Sequence, residues 1–326
     1  MTTRRRILIA AGLAALAEAL PSPAQQQPKV WRLGVLLAVF PLDSDASRAF
    51  RQRLLELGYA EGRNLVIAWR YSEGHDDRLG NLAAELVRLK VDLIVADTTP
   101  SIRAASQASS TIPVVMTNSD DAVENGFVFS LAHPGGNVTG NSIMRAETSV
   151  KRLQLLKEAV PKTSRVAVLW NPGIPSFKVM LKEIDAAAPS LGLRPVAVAA
   201  RSRDDLGDTL SQIEAARADA LFVSHTVSPA AQRKLLDFAA KNRLPTMFFN
   251  RGYVEAGGLM SYGPDFPELF RQAAVYTDKI FKGAKPGDLP VEQPTKYELT
   301  INMKAARRLG ITIPKSVLLR ADRVIE

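Results

Sequence analysis

Side chains able to do covalent or metal chemistry are few in this chain, and none is spaced for it. There is no cysteine, which removes thiolate nucleophiles, thiolate metal sites and disulfides together. The three histidines, His75, His133 and His225, show no metal-ligand spacing with carboxylates. No GxSxG elbow, P-loop or GxGxxG fingerprint occurs, and no two carboxylates are placed as an obvious acid/base pair. Gly135-Gly136 lies between two runs of strands and helices, so it reads as a turn and not as a phosphate cradle. Catalysis has little support, and neither a metal ion nor a cofactor is expected.

What the sequence offers instead is a set of polar and aromatic residues placed just after apolar runs. Ligands of open α/β sheets bind beyond the carboxyl ends of the strands. Phe40 follows the run 33–37, as a ring that stacks on an apolar ligand or packs on its own loop. Thr98, Thr99 and Ser101 follow 92–96 at a helix start, where hydroxyls and free N–H groups suit a carboxylate or cap the helix. Asn118 and Asp120 follow 112–116, with Asp120 a partner for an ammonium group or another cap. Trp170 ends the run 166–170 and Asn171 and Ser176 follow it, and Ser176 reads as a cap whose backbone neighbours are the better anion donors. His225 follows 220–223, as a ligand contact or a structural hydrogen-bonder. Asn250 and Tyr262 follow the next two strands and belong to a back wall or hinge. These twelve residues are the candidate ligand contacts.

The elements that must position them alternate. Apolar strands at 33–37, 65–69, 92–96 and 112–116 are separated by amphipathic helices, one with Phe50, Leu54 and Leu57 on a single face and Gly58 ending it. After 134–137 the rhythm restarts, with strands at 166–170, 195–199 and 220–223. Ser176, Asp204 and Ser228-Pro229 read as the starts of its helices. Strands are expected again at 245–249, 257–262 and 297–302, with a helix between Asp265 and Gly283. The pattern predicts an α/β protein of two doubly wound parallel-sheet lobes. The expected division is 29–142 plus 250–287 for one lobe and 143–249 plus 288–326 for the other.

The N-terminus points to export. Arg4, Arg5 and Arg6 precede an apolar stretch 7–20 interrupted only by Glu18, then small residues up to Ala24. That order matches a signal peptide cleaved near Ala24, and the stretch is too short for a membrane span. Sec and twin-arginine routes both remain open. Without a lipidatable cysteine, the mature protein is expected free in a periplasm. The net charge is +9, of which the residues before Gln25 carry +2, and no long basic block concentrates the rest. No nucleic-acid partner is expected.

Most clearly toward the C-terminus, a family resemblance becomes visible. Gly258-Leu259-Met260-Ser261-Tyr262-Gly263, Leu289-Pro290-Val291-Glu292, Tyr297-Glu298-Leu299, the glycine-bearing 135–140 and Asn171-Pro172 resemble the ABC-type solute-binding proteins of the tryptophan/tyrosine-binding type. The resemblance covers the whole mature chain in the family's order. It implies the type I periplasmic-binding fold, a Venus-flytrap architecture whose lobes are joined by a multi-crossover hinge. It also implies delivery of a captured small molecule to ABC permease subunits driven by a separate ATPase, without fixing the ligand. An amino acid or an aromatic or organic acid is compatible with Phe40, Trp170 and Tyr262, and a monomer is expected. An exported sensing module for a chemoreceptor or sensor kinase, and a secreted α/β hydrolase, are the alternatives. Within this reading Thr99→Ala and Asp120→Ala are expected to weaken binding by about 1–3 kcal/mol while leaving the free protein unchanged; simple caps would show the reverse.

Overall fold

The computed structural model describes residues 29–143, 145–200, 206–224 and 227–326. The expected export segment, the Asp204 cap and His225 lie outside them.

The apolar strand β1 (Trp31–Leu37) is buried over its last five residues, as a strand covered on both faces must be. Helix α1 (Asp45–Glu56) starts where the Ser44 hydroxyl accepts the Ser47 N–H, and it turns Phe50 and Leu54 inward. Then come β2 (Leu65–Tyr71), α2 (Leu79–Arg88), β3 (Leu93–Ala96), α3 (Thr99–Ala108), β4 (Val114–Ser119) and β5 (Val138–Ser142). These strands form an all-parallel sheet in the order β2-β1-β3-β4-β5. The strand β5 was not foreseen, because Val-Thr-Gly-Asn-Ser carries one apolar residue and no alternation. Its partner β4 creates it, through a parallel ladder with an irregularity between Met116 and Ser119.

The chain then crosses into α4 (Arg145–Ala159), β6 (Arg165–Trp170), α5 (Ser176–Ala187), β7 (Arg194–Ala199), α6 (Gly207–Ala215), β8 (Ala220–Val223) and α7 (Pro229–Lys241). Next are β9 (Thr246–Phe248), α8 (Arg251–Glu255), β10 (Met260–Pro264), α9 (Phe266–Phe281), β11 (Tyr297–Asn302), α10 (Met303–Leu309), α11 (Lys315–Leu318) and β12 (Arg323–Ile325). The second sheet runs β12-β11-β10-β9-β8-β6-β7, parallel except where β10 meets β11. Two parallel-sheet α/β lobes result, as the alternating pattern predicts.

Two boundaries differ from the expected division. The expected division puts residues 250–264 in the first lobe, yet β10 pairs with β9 and β11 in the second sheet. The reason is connection length: a short link through α8 brings β10 back beside β9, and consecutive strands usually neighbour. The crossing comes later, where Asp265 caps α9 by accepting the Glu268 N–H. Helix α9 then lays Phe270, Ala273, Ala274 and Phe281 into the core around β1 and α1. The second boundary, at 288, also moves. The stretch up to Glu292 stays on the first lobe, since Ser142 N–H donates to Glu292 O and Glu292 N–H to Gly140 O, each at 2.9 Å.

The seam between α9 and the rest of the first lobe contains Tyr59, whose hydroxyl donates to Asp278 Oδ1 at 2.9 Å. Burial, reinforced by that hydrogen bond, pushes the phenol up to about 12 from its ordinary 10.0. Ionisation is therefore harder folded than unfolded. The stabilisation is intact below about pH 10, the unfolded value, and is lost as pH rises through about 12. Stability should fall across that window. Tyr59→Phe should flatten part of the fall while costing about 1 kcal/mol at neutral pH. Denaturant titrations of both proteins from pH 8 to 12 check this, and parallel profiles would remove Tyr59 from the account.

Candidate ligand cleft

Both sheets turn the carboxyl ends of their parallel strands toward one cleft, and the first lobe's half is organised by a buried carboxylate. Asp97, at the end of β3, is fully buried. It accepts the N–H groups of Ala38 (2.8 Å), Val39 (2.9 Å) and Phe40 (3.3 Å), and the Ser101 hydroxyl lies 2.8 Å from its Oδ1. Its own carbonyl accepts the Thr117 hydroxyl (3.1 Å) and the Asn118 amide (2.9 Å). One residue therefore sets the loops after β1, β3 and β4. Sequence reading passed over Asp97, because an acidic residue ending a strand gives no sign of what its carboxylate meets.

The candidate contacts fall into groups. Phe40 packs on Phe266 and Phe270 of α9, with ring centroids 5.2 Å apart in each case, and also faces a cavity. Thr98 and Ser101 serve the helix start, the Thr98 N–H donating to Ser101 Oγ at 2.9 Å. Thr99 is not a cap. Its hydroxyl donates to Asp120 Oδ2 (3.0 Å) and accepts the Asp120 N–H (3.1 Å), a buried link between the loops after β3 and β4. Asn118 is committed to Asp97. On the second lobe, Asn171 accepts the Gly173 N–H at 2.8 Å, and Asn250 caps α8 through Gly252 at 2.7 Å.

Ser176 is not the cap the sequence suggested. Helical dihedrals already begin at Pro175, because the turn after Asn171 winds directly into α5. The Ser176 hydroxyl instead accepts the Asn125 amide of the first lobe at 3.3 Å, a hydrogen bond across the cleft. Trp170 and Tyr262 border neither of the two cavities described below. Both pack on the second lobe's core, where Tyr262 stacks on Tyr297 at 5.6 Å and burial, ahead of the Asp322 charge, raises its phenol.

Both cavities are walled by the two lobes together. A space of about 330 Å³ lies between Phe40, Pro41 and Asp45 on one side and Val227, Phe249 and Arg251 on the other. Arg251 reaches Asp45 across it at 3.7 Å. The second space, about 590 Å³, lies between α2 and α3 of the first lobe and Asn171, Gly173 and Ile174 of the second. Their sizes suit a small organic ligand. Among the described residues no group of three or more His, Cys, Asp or Glu gathers as a metal site, and no helix is long and apolar enough to cross a membrane.

The comparisons agree with this geometry. The family model for ABC transporter substrate binding proteins matches residues 42–325. A tyrosine-binding protein of Clostridioides difficile is 28% identical over 276 residues, covering 84% of this chain and 79% of that one. A solved ABC-domain protein of Streptococcus pneumonia in complex with L-Trp is 29% identical, with a TM-score of 0.83, covering 90% of this chain and 99% of that one. The ligand-free, open structure of a Clostridium difficile substrate-binding protein is 25% identical, with a TM-score of 0.65, covering 91% and 99%. The two lobes have the type I periplasmic-binding arrangement of these neighbours. With strand-end loops from both sheets meeting in one cleft, and the match running from the first of those loops to the last strand, the chain belongs to the ABC transporter substrate-binding protein family.

Proposed function

We propose that this chain binds an aromatic amino acid, or a related aromatic or organic acid, by closing its lobes on it in the periplasm. The closed complex then delivers the ligand unchanged to ABC permease subunits powered by a separate ATPase. The observation carrying the reading is that each cavity takes walls from both lobes, so a ligand filling it gains contacts only on closure. Such differential contact is what shifts an open–closed equilibrium. The hydrogen bond from Asn125 to Ser176 across the cleft supports a closed arrangement. The names of the tyrosine-binding and L-Trp-bound relatives support the ligand class.

Calorimetric titration with L-tryptophan and L-tyrosine, beside small-angle scattering, tests the reading. Binding with a smaller radius of gyration is expected, and recovery of a chemically altered ligand would count against a pure receptor. Thr99→Ala and Asp120→Ala refine it. Because this buried pair is already made without ligand, each should cost the free protein about 1–2 kcal/mol, contrary to the expectation from sequence. Each should also weaken binding, by about 1–3 kcal/mol, as the two loops lose their strut. Unchanged affinity in both would remove this corner from the site.

A further inference from the structure

Arg103 lines the larger cavity, and among the described residues it has no counter-ion. It lies on the stripe Pro100, Arg103, Ala104, Gln107 and Ala108, the i, i+3, i+4, i+7, i+8 face of α3 that lines this space. Small residues on that face and on α2, Gly80 and Ala84 among them, create the room. Arg103 is partly buried; its guanidinium sits 5.1 Å over the Phe127 ring and makes one long hydrogen bond, 3.4 Å, to Asn125 O. Among the described residues no carboxylate pairs with it. A partly buried guanidinium whose protein partners are one ring and one carbonyl keeps N–H donors to spare, so the cavity favours an anion beside it. Asp76, at the leading edge of α2, lines the same cavity and supplies the opposite pole.

We infer that this mouth cavity holds the headgroup of a zwitterionic α-amino acid, with its carboxylate on Arg103 and its ammonium toward Asp76. The inference rests on the amino-acid reading above and assigns that ligand's polar end. It also gives closure a local cause. Asn125, which accepts from Arg103, donates across the cleft to Ser176, so an anion that orders Arg103 stiffens the contact that joins the lobes.

The test is titration of wild type, Arg103→Gln and Arg103→Lys with L-tryptophan and with tryptamine, which lacks only the carboxylate. Wild type should prefer L-tryptophan. Arg103→Gln should lose at least about tenfold for L-tryptophan and less than about threefold for tryptamine, with Arg103→Lys between. L-tryptophan binding within threefold of wild type in Arg103→Gln would overturn the inference, as would a wild type that binds tryptamine equally well. If wild type binds no aromatic amino acid, the function reading fails separately. The same variants are then titrated with the compound that native mass spectrometry recovers from the protein. A recovered ligand without an acidic group, or the absence of any bound acid, overturns the Arg103 assignment too. Melting curves should show all three proteins folded, with Arg103→Gln lowered only by the loss of its contacts to the Phe127 ring and the Asn125 carbonyl.

Discussion

Asp97→Ala should be the most damaging truncation in the first lobe, lowering its stability by at least about 3 kcal/mol and weakening ligand capture with it. The carboxylate satisfies three successive backbone N–H groups, those of Ala38, Val39 and Phe40, and a fourth donor, the Ser101 hydroxyl, lies within reach. Each donor left unpaired in a buried site costs about 1–3 kcal/mol, and a methyl group cannot rotate to serve any of them. Water entering the gap would offset part of the loss but would not restore the loop's course. The loop after β1 is the one that carries Phe40 to the cleft, so disorder there removes a ligand wall. Asp97→Asn is the informative partner. It keeps the shape and one acceptor oxygen while facing the N–H groups with an amide donor, and should lie between wild type and Asp97→Ala. Denaturant melts and titrations of both variants decide the matter. An Asp97→Ala protein within about 1 kcal/mol of wild type would mean that solvent, and not Asp97, supports these loops.

The second large effect is expected at Gly140. A Cβ built there would sit 2.3 Å from Met116 O and 2.6 Å from Met116 N, and the backbone has φ of +123°. Both facts oppose any side chain, and the atoms in the way are main chain, which cannot swing aside. Gly140→Ala should cost about 3 kcal/mol, adding backbone strain to overpacking. At about 2–4 °C per kcal/mol that is a fall in Tm of about 6–12 °C. The damage should extend past β5, because Gly140 O accepts the Glu292 N–H and so holds the last crossing segment to the first lobe. A variant that melts with wild type would show that β5 can draw away from β4 without loss. Gly58→Ala provides the contrast. Its φ of +93° carries the backbone penalty alone, with nothing within 4 Å of the added atom, so its cost should be about 1 kcal/mol.

Residues 33–37 and 220–223 were legible as strands because a buried parallel strand needs continuous apolar side chains, and composition records that need. The helix starts at Ser228 and Asp265 were legible for a similar reason: capping is settled by a hydroxyl or carboxylate within three residues of the N–H it accepts. So was the architecture of two lobes, since the alternation of elements is local and repeats. Ser176 misled because a serine before an apolar face looks like a cap whether or not the preceding turn is already helical. The strand β5 and the side of the hinge taken by β10 were beyond reach. Each depends on a partner strand distant in sequence, and nothing in Val-Thr-Gly-Asn-Ser or Met-Ser-Tyr-Gly-Pro names that partner.

The same limit governs the cleft. Position after a strand was enough to bring Phe40, Thr99 and Asn171 to cavity walls, because the carboxyl ends of parallel strands meet there by topology. What each side chain does was decided only by tertiary contact. Thr99 and Asp120 satisfy one another, Thr98 and Ser101 serve the helix start, and Tyr262 turns to the core by the alternation of β10. Arg103 went unnoticed for the converse reason. One arginine on a helix is ordinary in sequence, and only the folded protein shows that it lines a cavity between the lobes, in no ion pair among the described residues. Local pattern selects the elements and the chain order carries loops to the cleft; the long-range pairing of polar groups, set by packing, decides which of them remain to meet a ligand.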